Sequence, residues 1–136
     1  MKKTILLLII LASFYFFQCE DQIVSECQLC SDIPMTKTTF SQIQSDVFNP
    51  LCVSCHSDNA PSGGLNLSES VSYGQLVNVD SKTSPFKRVV PNRSLESYLV
   101  LVLEGEEAPL MPPSGKLQTT TIDSVRAWID RGAAND

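Results

Sequence analysis

A lone histidine, His56, closes the run Cys52-Val53-Ser54-Cys55-His56, and no second imidazole exists anywhere in the 136 residues. A C-x-x-C-H run is the attachment pattern of a c-type haem. The spacing has a physical basis: two thiols three residues apart on a helical turn can each reach one vinyl group on the same porphyrin edge. The adjacent imidazole then lies under the iron. Covalent attachment anchors the cofactor, so no preformed pocket is needed to retain it. C-x-x-C also serves zinc and redox sites, which remain the competing uses of the pair. The single histidine excludes two-histidine zinc motifs within one copy of the chain.

The N-terminus sets the compartment. Lys2 and Lys3 precede an uncharged, mostly apolar run from Ile5 to Phe17. This is the n-region and h-region of an export signal, too short for a bilayer span of ~20 residues. Residues 1–18 are therefore expected to be removed, taking the formal charge from -5 to -7. Cys19 follows directly and resembles the lipidated cysteine of bacterial lipoproteins, although Gln18 stands where a small residue is usual. Ordinary cleavage nearby, with Cys19 lost or left as a spare thiol, is the alternative. Export also favours haem attachment, because c-type apoproteins receive their haem outside the bacterial cytoplasm. An acidic balance without a basic run argues against nucleic acid as a partner.

Residues 19–37 read as a tether, with scattered polar residues, Pro34 and no persistent period. Within it, Cys27 and Cys30 form a second C-x-x-C pair. A local disulfide is the simple reading outside the cytosol. The domain is expected over residues 38–136, enough for one modest core that a large bound group would stabilise. Its composition, 43% apolar and 18% charged, is that of an ordinary globule and not of a disordered segment.

Three helices are predicted. Phe40, Ile43, Val47 and Leu51 repeat at helical spacing, with Thr38 or Thr39 as cap and Pro50 breaking the end. Ser94 precedes a stripe of Leu95, Tyr98, Leu99 and Val102, which Gly105 terminates. Thr121 precedes Ile122, Val125, Trp128 and Ile129, with Gly132 as the stop. A shorter helix is expected around residues 71–77. No strand shows useful alternation, so the class is all-α with long loops, and such loops suggest that something other than protein fills the middle.

The sixth iron ligand follows by elimination. With the signal gone, only Met35 and Met111 remain, and a thioether is the common partner of histidine in cytochromes c. Met35 lies in the tether. Met111 lies in Ala108-Pro109-Leu110-Met111-Pro112-Pro113, where the prolines lower the entropy lost on holding the sulfur in place. An apolar gap-filler is the structural alternative for Met111. Lys82, Lys87, Arg88 and Arg93 either contact haem propionates, dock an acidic partner, or form a solvated loop. Pro61, Gly63 and Gly64 either orient the His56 ring through a backbone carbonyl or simply make a turn.

These stretches resemble the class I-type monohaem cytochromes c, and in particular the planctomycete-type cytochrome c domain of exported bacterial lipoproteins. The resemblance is carried by Asn49-Pro50-Leu51 running into the C-x-x-C-H motif, Gly63-Gly64-Leu65-Asn66-Leu67, and Val90-Pro91 leading to Ser97-Tyr98-Leu99. It is carried further by Met111-Pro112-Pro113 and by Ala127-Trp128-Ile129-Asp130-Arg131-Gly132-Ala133. It covers about residues 40–134 and implies a small cytochrome c-like fold packed around one haem c. In that fold Cys52 and Cys55 are the covalent links, and His56 and Met111 are the axial ligands. It further implies that the first and last helices cross, with Phe40 and Phe48 near Trp128.

The function expected is one-electron transfer by a monomer to unidentified redox partner proteins, in the periplasm or cell envelope, with a lipid anchor at Cys19. A bis-ligated iron disfavours catalysis. Two other classes compete: a structural zinc module using Cys27, Cys30, Cys52 and Cys55, and a haem sensor or peroxidase whose Met111 bond opens.

Overall fold

A computed structural model describes residues 37–136 apart from Ala60 and Glu106. The signal, Cys19, Cys27, Cys30, Met35 and nearly all of the tether lie outside the described residues.

Among the described residues the structure is helical with no strand, as an all-α class requires. The first helical segment runs unbroken through α1 (Phe40–Ile43), a π-helical stretch (Gln44–Phe48) and α2 (Asn49–Leu51). Thr39 caps it: its hydroxyl accepts from the Gln42 N–H while the Gln42 side chain accepts from the Thr39 N–H. Pro50 does not break this segment, contrary to expectation. The Asn49 N–H reaches the Gln44 carbonyl five residues back, and this wider turn relieves the clash of a proline ring with the carbonyl four residues earlier.

A short helix follows, α3 (Ser72–Leu76), close to the expected 71–77. Next come a 3-10 turn (Ser94–Glu96), α4 (Tyr98–Glu104) and α5 (Thr119–Asp130). α4 starts later than the stripe suggested, and Leu95 is 76% exposed. Ser97 provides the reason. Its hydroxyl accepts from the Val90 N–H and donates to the Arg93 carbonyl, so the chain turns there before the helix begins. Two faces of α4 are apolar. Val100 and Leu103 enter the core, while Tyr98, Leu99, Val102 and Leu103 also border a cavity described below.

The core joins α1 and the π stretch to α4 and α5 through Phe40, Ile43, Phe48, Val100, Ile122 and Trp128, all buried. Phe40 sits 5.3 Å from Trp128 and 6.2 Å from Phe48 between ring centroids, as anticipated for the first and last helices. Tyr73 adds an edge-to-face contact at 5.2 Å. The Trp128 indole donates to the Ala134 carbonyl, so the buried ring is fully satisfied. The final residue belongs to the fold: Asp136 accepts from the Phe40 N–H and pairs with Lys37, whose hydrogen bond holds the carboxyl below the usual range. No helix among the described residues is long and apolar enough to cross a membrane.

Asp130 explains part of the C-terminal motif. Its carboxylate takes both the N–H and the hydroxyl of Ser94, each at 2.8 Å, and so caps the turn that leads into α4. Replacing it, Asp130→Ala, leaves the buried Ser94 unpaired and should lower stability by about 1–2 kcal/mol, read as a lower urea midpoint with unchanged slope.

Candidate functional site

The C-x-x-C-H run continues directly from α2. The Phe48 carbonyl accepts from both Cys52 and Val53, and the Cys52 carbonyl accepts from both Cys55 and His56 at 3.1 and 3.0 Å. Two overlapping turns therefore set Cys52 and His56 one turn apart and Cys55 beside them. The loop beyond is closed by Ser62 N–H to the Cys55 carbonyl and by Leu67 N–H to the His56 carbonyl, at 3.1 and 2.8 Å.

This closure needs a tight reversal, which Gly63 and Gly64 supply at φ 61° and 65°, the left-handed region. The reversal carries the Leu65 carbonyl to 3.2 Å from His56 Nδ1. A carbonyl only accepts, so Nδ1 carries the proton, and in the neutral ring Nε2 keeps its lone pair. Of the two readings of the glycine pair, orientation of His56 by a carbonyl has its geometry here.

Cys52, Cys55, His56 and Met111 all border one cavity of about 500 Å³. That volume lies within the ~300–1,000 Å³ typical of cofactor and small-molecule sites. Its walls reach the core at Phe48, Leu67, Leu76, Leu99 and Leu103, while Leu51, Pro109 and Pro113 stand nearer its edge. The lining is thus mainly apolar, with two thiols, one imidazole and one thioether. Ser62, Ser81, Thr83 and Arg88 add polar groups. A second groove of about 320 Å³, bordered by Thr38, Gln42, Asp46, Thr120 and Ser124 among others, has no sulfur or imidazole in its lining.

The Met111 loop is pinned at several points. Met111 N–H donates to the Val102 carbonyl of α4 at 2.7 Å. Gly105 ends α4 at φ 71°, and a Cβ there would lie 2.8 Å from Leu110 Cδ1. Glu104, at the start of the loop, pairs with Lys116 at its end and with Arg126 of α5. The substitution Gly105→Ala combines a left-handed backbone with that clash. It should cost about 2 kcal/mol and disturb the loop first, seen as faster amide exchange at Met111 than in α5.

Electrostatics separate the two thiols. Burial, helped by Cys55, pushes the Cys52 thiol up from 9.0 to about 11, while Cys55 is exposed. Both are free thiols in the structure. Reactive redox cysteines have depressed values, so a raised Cys52 does not favour a redox-active pair. Among the described residues no group of three or more His, Cys, Asp or Glu side chains is placed to hold a metal ion. In the reduced chain with both thiols free, at about pH 8, alkylation should modify Cys55 well before Cys52. Cys52 reactivity should keep rising toward pH 11, followed by mass spectrometry of the two peptides.

The four basic residues 82–93 part company. Lys87 pairs with Asp80 and Arg93 with Glu96, both on the surface, and Lys82 is exposed. Arg88 alone is buried, at 5% exposure, and borders the cavity. It donates to the Gln75 carbonyl at 2.7 Å, the Gln75 side chain at 3.2 Å and the Gly64 carbonyl at 3.0 Å, all neutral acceptors. Burial draws its pKa below the ordinary value without neutralising a guanidinium. The solvated-loop reading therefore fails for Arg88. Gln44 is likewise buried, a polar side chain on the apolar stripe of the first helix that helical spacing alone does not single out.

Compared with family models, curated proteins and solved structures, the chain has no match.

Proposed function

We propose that this chain is an exported, lipid-anchored monohaem c-type cytochrome that carries single electrons, with His56 and Met111 as axial ligands. The observation that supports it best is that Met111, 55 residues beyond His56, borders the same mainly apolar cavity as Cys52, Cys55 and His56. Among the described residues these are the only histidine and the only methionine.

The residues suit the group. The apolar wall accommodates a flat hydrophobic macrocycle. Arg88, whose partners among the described residues are all neutral, brings a positive charge to the same cavity, with hydroxyls from Ser62, Ser81 and Thr83, and these would hold the carboxylates of the macrocycle. The protonated Nδ1 of His56 leaves Nε2 as the ligating nitrogen. Haem iron supplies the one-electron couple. The chain's own part would be to keep the His56 imidazole and the Met111 thioether in place through the change of charge. The Leu65 carbonyl does this for His56, and the Val102 carbonyl and the Glu104 ion pairs do it for the Met111 loop. With both side chains held, the iron would have little room for a substrate, and a thioether would raise its potential relative to a second imidazole. A triacylated or diacylglyceryl Cys19 would keep the carrier at a membrane surface, since stable anchoring takes more than one chain.

The test is the visible spectrum, oxidised and reduced, of the full chain made with the haem-attachment machinery. A c-type absorption that survives denaturation and acid-acetone extraction is expected, together with a weak sulfur-to-iron absorption in the oxidised red. Its absence, with zinc bound instead, would overturn the reading in favour of the four-cysteine module. Met111→Ala should abolish the red absorption, lower the midpoint potential and open the reduced iron to carbon monoxide. Carbon monoxide binding by the unaltered chain would instead favour a sensor or peroxidase.

A further inference from the structure

Two buried polar side chains outside the ligand set hold opposite ends of the segment that carries the His56 acceptor. At one end Arg88 Nη2 donates to the Gly64 carbonyl at 3.0 Å. At the other, Gln44 Nε2 donates to the Leu67 carbonyl at 2.9 Å. Between these points the Leu65 carbonyl receives His56 Nδ1–H, and the Leu67 N–H donates to the His56 carbonyl. The segment is therefore gripped on both sides of its contacts with His56.

Each grip is itself fixed. Gln44 Nε2 also donates to Asn49 Oδ1 at 2.7 Å, and Gln44 Oε1 accepts from the Ser72 hydroxyl at 2.6 Å. Arg88 Nη1 holds both the carbonyl and the side chain of Gln75. Ser72 and Gln75 both belong to α3, so this short helix anchors the two grips together. A buried amide and a buried guanidinium cost heavily in desolvation unless their geometry is nearly complete. Spending both on the carbonyls flanking one hydrogen-bond acceptor is more than a turn of this length needs.

We infer that Gln44 and Arg88 are positioning residues for His56. Through the Gly64–Leu67 backbone they set the strength of the Nδ1–H hydrogen bond to the Leu65 carbonyl. That bond controls how much electron density Nε2 presents to a metal. The inference rests on the haem reading and extends it to residues that do not touch the iron.

The two side chains differ in charge, which makes the inference separable from simple electrostatics. Loosening the neutral grip, Gln44→Leu, weakens the His56 hydrogen bond, makes the imidazole a poorer donor, and so raises the midpoint potential. Arg88→Gln removes a positive charge near the iron, which favours the oxidised state and lowers the potential. Yet it loosens the same segment. Arg88→Lys keeps the charge but loses the planar fork that reaches Gly64 and Gln75 at once.

The experiment uses the haem-loaded full chain, nitrogen-15 labelled, with solvent exchange of the His56 Nδ1 proton measured in the reduced state alongside the midpoint potential. Exchange should accelerate about tenfold or more in Gln44→Leu, Arg88→Gln and Arg88→Lys, because local opening of the segment becomes easier. The potential should rise in Gln44→Leu and in Arg88→Lys, which loosens the grip while keeping the charge. Asp130→Ala, which weakens the fold elsewhere, should leave Nδ1 exchange near that of the parent. Should Gln44→Leu not accumulate, Ser72→Ala removes only the hydroxyl on Gln44 Oε1 and should show the same signs at smaller size. Unchanged exchange and potential in a variant that carries haem on His56 would overturn the inference. Failure of the parent chain to take up haem would instead overturn the functional reading, so the two failures are distinct.

Discussion

The hydrogen bond between His56 Nδ1 and the Leu65 carbonyl is the contact on which the surrounding architecture turns. It requires the chain to reverse within a few residues of the C-x-x-C-H run and to come back alongside it. Gly63 and Gly64 permit that reversal, and the bonds from Ser62 to Cys55 and from Leu67 to His56 close it. Leu67 anchors one end of this loop in the core, but its turn at Ser62 and Gly63 is exposed and would open readily if left to solvent. Its rigidity is borrowed from the helices through Gln44 and Arg88, which bind it from opposite ends. The π-helical stretch takes part in this. It carries Gln44 at its start and keeps the chain helical through Pro50, so that the thiols begin where the helix ends.

The second half of the cavity is built on different physics. The Met111 loop contributes little to the core. It is held by one short backbone bond to α4, by the close approach of Leu110 to Gly105, and by ion pairs joining its two ends to α5. The ion pairs of Glu104 are partly exposed, and each is worth little alone in water. Their value lies in joining three elements at one carboxylate. The imidazole wall is thus tied by buried, neutral-acceptor hydrogen bonds, and the thioether wall by a mixture that includes screened charges. This asymmetry makes the Met111 side the more responsive of the two to salt and to local opening.

Much of this arrangement was legible in the residues. Helical spacing identified the first and last helices, and Phe40 and Trp128 meet in the core, a contact that the family resemblance and not the spacing implied. The elimination of other thioethers pointed to Met111, which borders the same cavity as His56. What escaped did so for identifiable reasons. The stripe through Leu95, Tyr98, Leu99 and Val102 mixed cavity-facing positions with an exposed leucine, because periodicity cannot tell a wall facing a bound group from a wall facing other side chains. Gln44 lies on the apolar face defined by Phe40, Ile43, Val47 and Phe48, and a polar residue on such a stripe was a signal that went unread. Arg88 was grouped with Lys82, Lys87 and Arg93 by charge alone, although Val89 and Val90 follow it. Val89 is fully buried, and its neighbour enters the interior with it.

Arg88 also explains why the cavity has a direction. A cavity walled only by leucines and phenylalanines would accept a hydrophobic group in any orientation. A single buried guanidinium changes that, because its charge has no carboxylate partner among the described residues and its bonds go only to neutral oxygens. An unpaired buried charge is expensive, and a ligand whose anionic groups lie beside it recovers part of that cost, whereas one inverted in the cavity does not. The same side chain also fixes the Gly64 carbonyl, so the group that would orient the ligand is mechanically joined to the segment that orients His56. Arg88 would thus orient an anionic bound group and, through Gly64, help to hold the His56 imidazole, which a lysine at that position would do only in part.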